Sequence, residues 1–181
     1  YDFGAAEWIV SFDADFLGTW ISPVQFTAGY QAGRILESES PRLSQHLQFE
    51  SRLSLTGSNA DQRIAVSPEQ INQLITALAA RIAAKAGQSV GFSSPSLKPD
   101  HKAKIDELAD SLWKSRGRSL VVCGLNQFET QVQVNLINHL LGNYEKTLSL
   151  LKPSNQCQGN DRDLAFLVDE IEKGKVSALF V

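Results

Sequence analysis

The sequence has no methionine, and its 181 residues include only two cysteines and three histidines. The cysteines, Cys123 and Cys157, lie far apart and fit no metal-ligand spacing. Cys123 sits in an apolar run, where a thiol serves as a small core residue. His46, His101 and His139 fall at a strand start, at a helix start and on an apolar helical face, so no cluster of imidazoles, thiols and carboxylates assembles for a metal. No apolar stretch approaches the roughly 20 residues that span a bilayer, and no signal peptide is visible. With a net charge of −3 and no basic run, the chain gives no electrostatic case for nucleic acid or an anionic membrane. Three motifs are missing: the G-x-G-x-x-G dinucleotide turn, the G-x-x-x-x-G-K-[ST] phosphate loop and the G-x-S-x-G nucleophile elbow. The lack of any methionine, the start at Tyr1 and the strand-like ending V-S-A-L-F-V lead us to expect an internal segment of a longer protein.

Apolar residues make up 43% and charged residues 20%, the balance of a soluble globular chain long enough for one substantial core. Strand-like and helix-like patterns alternate. Residues 7–13 (EWIVSFD), 46–51 (HLQFES), 62–66 (QRIAV) and 119–124 (SLVVCG) read as strands. Pro23 suits the first turn of a helix over 23–36. The best helix runs over 68–86, with Ser67 as N-cap, Pro68 in the first turn and Gln70 completing a capping box. Its apolar stripe is Ile71, Leu74, Ile75, Leu78, Ala79 and Ile82. Further helices are expected at 100–116, 130–142 and 161–174, an edge strand at 146–151 and a final strand at 176–181. Residues 87–99, rich in Gly, Ser and Pro, read as a surface loop. This alternation predicts a single α/β domain over 1–181, a three-layer, Rossmann-like open sheet, mainly parallel, with helices on both faces.

In such sheets ligands bind beyond the carboxyl ends of the strands. The positions to inspect are Asp13–Trp20, Glu50–Thr56 and Gly124–Gln127. The loop after the first strand reads D-A-D-F-L-G-T-W, and Asp13 and Asp15 would repel a phosphate there. They could accept hydrogen bonds from a ribose or a guanine edge, or simply cap the strand end and the next helix. The acidic group Asp161, Asp163, Asp169, Glu170 and Glu172 reads as a solvated helix face. No catalytic constellation emerges from the residues themselves.

Several stretches, taken in order, do resemble a known family. IVSFDADFLGTWISPVQFTAGYQAGR, FESRLSLTGSNADQRIAV, SLVVCGLNQ, INHLLGNYEKTLSLLKP and LVDEIEKGKVSALFV are similar to the molybdopterin oxidoreductases of the dimethyl sulfoxide reductase superfamily. The similarity is closest to the molybdopterin-like region of the large iron–sulfur subunit of alternative complex III. In active members this domain helps hold one guanine dinucleotide half of a bis-pterin molybdenum or tungsten cofactor. The family's G-A-N-P loop is matched by Asp13, Ala14, Asp15 and Phe16, so both its glycine and its asparagine are replaced. Its D-P-R-x-S-x-T-A-x-x-A-D segment is matched by Glu50, Ser51, Arg52, Ser54, Thr56, Ala60 and Asp61, whereas the following R-P-G-T-D aligns with 67–70, where the aspartate is missing.

The resemblance therefore implies a domain that kept the fold and lost the cofactor. It would be a non-catalytic scaffold in an iron–sulfur electron-transfer subunit, with the clusters elsewhere in the parent chain. Its partners would be the parent's other domains and the subunits of a membrane-associated, periplasm-facing respiratory complex, with no nucleic acid and no membrane insertion of its own. On that reading Asp15 and Asp61 bond to backbone rather than to ligand. Two alternatives stay open. One is a working molybdopterin guanine dinucleotide site with molybdenum, contacted by Asp13, Glu50, Arg52, Thr56 and Asp61. The other is a small-nucleotide module built on Asp13, Asp15 and the Gly124–Gln127 loop, including Asn126.

Overall fold

A computed structural model describes residues 1–36, 41, 43–151 and 160–179. Its elements are β1 (Trp8–Phe12), α1 (Pro23–Ala32), β2 (Gln45–Glu50), α2 (Leu55–Ser58), β3 (Gln62–Ala65), α3 (Pro68–Lys85), α4 (Pro99–Lys114), β4 (Ser119–Cys123), α5 (Phe128–Leu140) and α6 (Asp161–Glu172). The strands form one sheet in the order β3-β2-β1-β4, and every pairing is parallel. Because β2 and β3 extend to one side of β1 while β4 lies on the other, strand order reverses between β1 and β4. The chain has the α/β, three-layer, Rossmann-like fold that its alternating pattern predicts.

Both sheet faces are covered. Val10, Phe12, Leu47, Phe49, Val121 and Cys123 point to one side and bury the apolar stripes of α3, α4 and α5. The register sets Phe12 opposite Phe49, and their rings stack at 5.0 Å between centroids. On the other side Ile9, Leu120 and Val122 pack with Phe3, Phe16, Phe26 and Tyr30 from the N-terminal segment, the loop after β1 and α1. Each fully buried Leu, Ile or Phe contributes about 1.5–3 kcal/mol, so the α3 stripe alone makes that helix a main support of the sheet. The start of α3 is held by Gln70 Oε1, which accepts the Ser67 N–H at 2.9 Å.

The outer edge of β4 explains why the sheet stops there. Asn138 of α5 accepts the Val121 N–H at 3.1 Å and donates to the Val121 carbonyl at 2.7 Å, standing in for a neighbouring strand. Gln131 Nε2 donates to the Cys123 carbonyl at 3.1 Å, and Thr147 Oγ1 donates to that of Ser119 at 2.5 Å. Side chains thus use the groups through which another strand would pair.

This arrangement corrects the expected edge strand at 146–151. Residues 143–148 form a turn in which the Asn143 carbonyl accepts the N–H groups of Lys146, Thr147 and Leu148, with one isolated bridge between Tyr144 and Leu148. Nor is the final strand present over the described part of 176–181, since 176–179 pair with no strand and 180–181 lie outside the described residues, as does Cys157. α1 ends at Ala32 rather than at 36, closed by the Gly33 N–H on the Gly29 carbonyl. The 87–98 stretch is irregular, but Phe92 and Leu97 reach down onto the main core. No helix among the described residues is long and apolar enough to cross a membrane.

Candidate functional site

The carboxyl ends of β1, β2 and β4 open on a cleft of about 520 Å³, lined by Asp13, Asp15, Glu50, Arg52, Gly124 and, on one wall, Trp20. This is the position that the topology of an open parallel sheet reserves for a ligand. Three successive connections build it: the 13–21 loop, the 51–54 turn into α2, and the residues after β4.

The 13–21 loop turns sharply. Asp13 adopts φ = +54°, a left-handed conformation that aspartate tolerates better than most residues, and Ile21 adopts +53°, which is strained for a β-branched side chain by about 1–2 kcal/mol. Between them the Asp15 carbonyl accepts the N–H groups of Gly18, Thr19 and Trp20 at 2.9–3.1 Å. Phe16, fully buried, stacks on Phe3 at 4.1 Å and anchors the loop in the second core. Trp20 leans on Tyr1 and Phe26 at 5.0 and 5.8 Å.

The carboxylates face inward to the chain's own donors. Asp15 Oδ1 accepts both Thr56 N–H at 3.0 Å and Thr56 Oγ1 at 2.8 Å, and Thr56 Oγ1 in turn accepts the Leu17 N–H at 2.9 Å. Glu50, 1% exposed, accepts Ser54 N–H at 3.2 Å, Ser54 Oγ at 2.6 Å, Arg63 Nε at 2.5 Å and Gln48 Nε2 at 3.3 Å. Burial pushes the Glu50 carboxyl up, yet the Ser54 and Arg63 bonds more than reverse this and leave it below its ordinary value. The carboxylate fits because residue 57 is glycine: a Cβ there would lie 2.0 Å from Glu50 Oε1. Asp13 Oδ1 takes the Ser51 N–H at 3.4 Å. Gly124 serves strand packing, since a Cβ there would lie 2.2 Å from the Asp13 carbonyl oxygen.

A diphosphate at a strand end is held by free backbone N–H groups and room for close approach. Here the N–H groups of Leu17, Ser51, Ser54, Thr56 and Gly57 are each taken by a side-chain oxygen of Thr56, Asp13, Glu50, Asp15 and Ser54 respectively. Three carboxylates line the cleft, and like charge against a phosphate costs on the order of kcal/mol even at high effective dielectric. Arg52, exposed and without a hydrogen-bond or ion-pair partner among the described residues, is the one cation on the lining. The residues present do not fit a guanine dinucleotide.

Of the residues singled out from sequence, Asp13, Asp15, Glu50, Arg52 and Gly124 come together on the cleft, and Thr56 lies beneath it, tied to Asp15. Asn126 stands on the exposed loop before α5, off the cleft lining. Asp61 is removed altogether. It sits at the start of β3, at the amino end of the sheet, in a two-pronged pair with Arg34 at 2.5 and 2.9 Å, and it accepts the His46 N–H at 2.7 Å. Burial raises the Asp61 carboxyl, and Arg34 and the His46 N–H overcome that and hold it below the usual carboxylate range.

Arg63, Gln48, His46 and Tyr30 were not evident from sequence. The alternation in 46–51 marks the polar positions as solvent-facing, whereas the covered sheet buries them. No family model and no curated protein matches the chain.

Proposed function

We propose that this chain is a non-catalytic, molybdopterin-oxidoreductase-like scaffold domain of an iron–sulfur electron-transfer subunit, working within a membrane-associated, periplasm-facing respiratory complex. The observation that carries the reading is at the strand-end corner: the N–H groups of Leu17, Ser51, Ser54, Thr56 and Gly57 are taken by side chains of the chain itself, and the clearance at Gly57 and Gly124 is filled by Glu50 and the Asp13 carbonyl. A domain whose corner is committed to its own side chains keeps the rigid sheet as architecture. Its value to the parent lies in the surfaces it offers to neighbouring domains and subunits, while electrons pass through clusters held elsewhere in the parent chain.

The test is elemental and pterin analysis of the full-length parent, alongside calorimetric titration of this chain with GDP. Iron without molybdenum, tungsten or pterin, and no GDP heat at millimolar ligand, is the expected result. Near-stoichiometric molybdenum with a guanine pterin would refute the proposal and return Asp13, Glu50 and Arg52 to the role of cofactor contacts.

A further inference from the structure

The face of β2 that turns away from Leu47 and Phe49 carries His46, Gln48 and Glu50 at alternate positions, and all three are buried. They form a continuous polar ladder. Tyr30 Oη lies 3.2 Å from His46 Nδ1, His46 Nε2 lies 3.4 Å from Gln48 Oε1, and Gln48 Nε2 donates to Glu50 Oε2 at 3.3 Å. The same Tyr30 hydroxyl reaches the Asn59 carbonyl at 2.9 Å, just beyond α2. With strand residues rising about 3.3 Å each, the ladder spans roughly 13 Å, from the amino end of the sheet to the cleft.

Donors and acceptors can be counted along it. An ionised carboxylate only accepts, so Glu50 turns the amide of Gln48 toward itself by its NH2. The Gln48 carbonyl then faces His46 Nε2 and selects the tautomer that carries its hydrogen there. Nδ1 is left with a lone pair and competes with the Asn59 carbonyl for the single Tyr30 hydrogen. If the acceptor-only carboxylate is replaced by a neutral group that presents a hydrogen to Gln48, as the amide of Glu50→Gln does, Gln48 is free to turn. Its NH2 then faces Nε2, the imidazole hydrogen moves to Nδ1 and is donated to Tyr30 Oη, and the hydroxyl hydrogen goes wholly to Asn59. Exchange with water takes one proton from Nε2 and returns one to Nδ1, so the imidazole's own count is unchanged.

We propose that the Tyr30–His46–Gln48–Glu50 ladder is a relay in which the charge of Glu50 at the cleft sets the tautomer of His46 and, through Tyr30, the hold on Asn59. The groups facing His46 are Tyr30 from α1, Arg34 just after it, Asp61 from the turn before β3, Gln48 and Glu50 from its own strand, and the uncharged ring of Phe16 from the 13–21 loop. The imidazole is neutral at pH 7, because burial holds its pKa down to about 4, so a tautomer is what there is to select.

Long-range ¹H–¹⁵N correlation of the imidazole in the whole chain at pH 7 tests this. The wild type gives the Nε2–H form, and Glu50→Gln shifts the ratio of the two forms at least tenfold toward Nδ1–H. Should Glu50→Gln fail to fold, Gln48→Leu deletes the selecting carbonyl and gives the same shift. A wild type in the Nδ1–H or imidazolium form overturns the proposal, as does an unchanged tautomer in whichever variant folds.

Discussion

Replacing Asn138 by leucine separates shape from hydrogen bonding at the outer edge of the sheet. The two side chains are close in size, so little cavity or strain arises. Lost are the bond from Val121 N–H, the bond to the Val121 carbonyl and the bond from Asn143 Nδ2 to Asn138 Oδ1 at 2.9 Å. Val121 is fully buried, so its two backbone groups find no water. Each stranded group costs about 1–3 kcal/mol, hence about 2–6 kcal/mol for the pair, a large share of the roughly 5–15 kcal/mol that holds a domain together. In urea, with a slope of about 2 kcal/mol per molar, the unfolding midpoint falls by about 1–3 M. A midpoint within about 0.3 M of wild type would refute the view that Asn138 acts as the missing neighbour strand.

Gly124→Ala places a methyl group 2.2 Å from the Asp13 carbonyl, a backbone atom that cannot swing aside, and should cost about 1–3 kcal/mol or more in urea unfolding. Thr56→Val keeps the volume but strands the buried end of the Leu17 N–H and removes a donor from Asp15. Hydrogen exchange across 15–20 should quicken by about tenfold or more, and an unchanged rate would mean the loop is held by Phe16 alone. His46 fixes the acid side of the stability curve. Its folded pKa, about 4, lies below the ordinary 6.5, so the unfolded chain takes up a proton first and stability falls as pH drops from about 6.5 toward 4. The full interval is worth about 3 kcal/mol at 1.36 kcal/mol for each pH step. Glu50 and Asp61, held below their ordinary values of 4.5 and 3.8, add losses as pH falls through those values and below. Urea midpoints at pH 4.5, 5.5 and 7 check the slope, and a His46→Gln variant should flatten it between 6.5 and 4.5.

The parts of the fold that were legible in sequence are those whose pattern follows from burial on known faces. W-I-V-S-F and S-L-V-V-C are apolar through their length because parallel strands covered on both sides have no wet face. The α3 stripe repeats at helical spacing because that helix lies on the sheet with its other side in water. K-T-L-S-L-L has strand-like composition too, yet Asn143 gathers its N–H groups into a turn and Asn138 closes the edge it would have joined. That outcome depends on residues five to ten positions away and on a strand formed twenty-odd residues earlier, which no local window contains.

The site was legible in position and misleading in role. Topology sends the loops after β1, β2 and β4 to one corner whatever their sequence, so Asp13, Asp15, Glu50, Arg52 and Gly124 could be placed together from strand order alone. What each does there depends on partners supplied by other elements: Thr56 of α2 for Asp15, Arg63 of β3 for Glu50, the Asp13 carbonyl for Gly124. A carboxylate in a sequence looks the same whether it awaits a ligand or already holds backbone donors. H-L-Q-F-E makes the same point along a strand. Its polar positions alternate as on a wet surface, but α1, α2 and the 13–21 loop cover that face, and hydrogen bonds from Tyr30, Ser54 and Arg63 offset the desolvation. A buried row of polar groups is stable only while every donor finds an acceptor, and that constraint makes the charge of Glu50 felt as far away as Asn59.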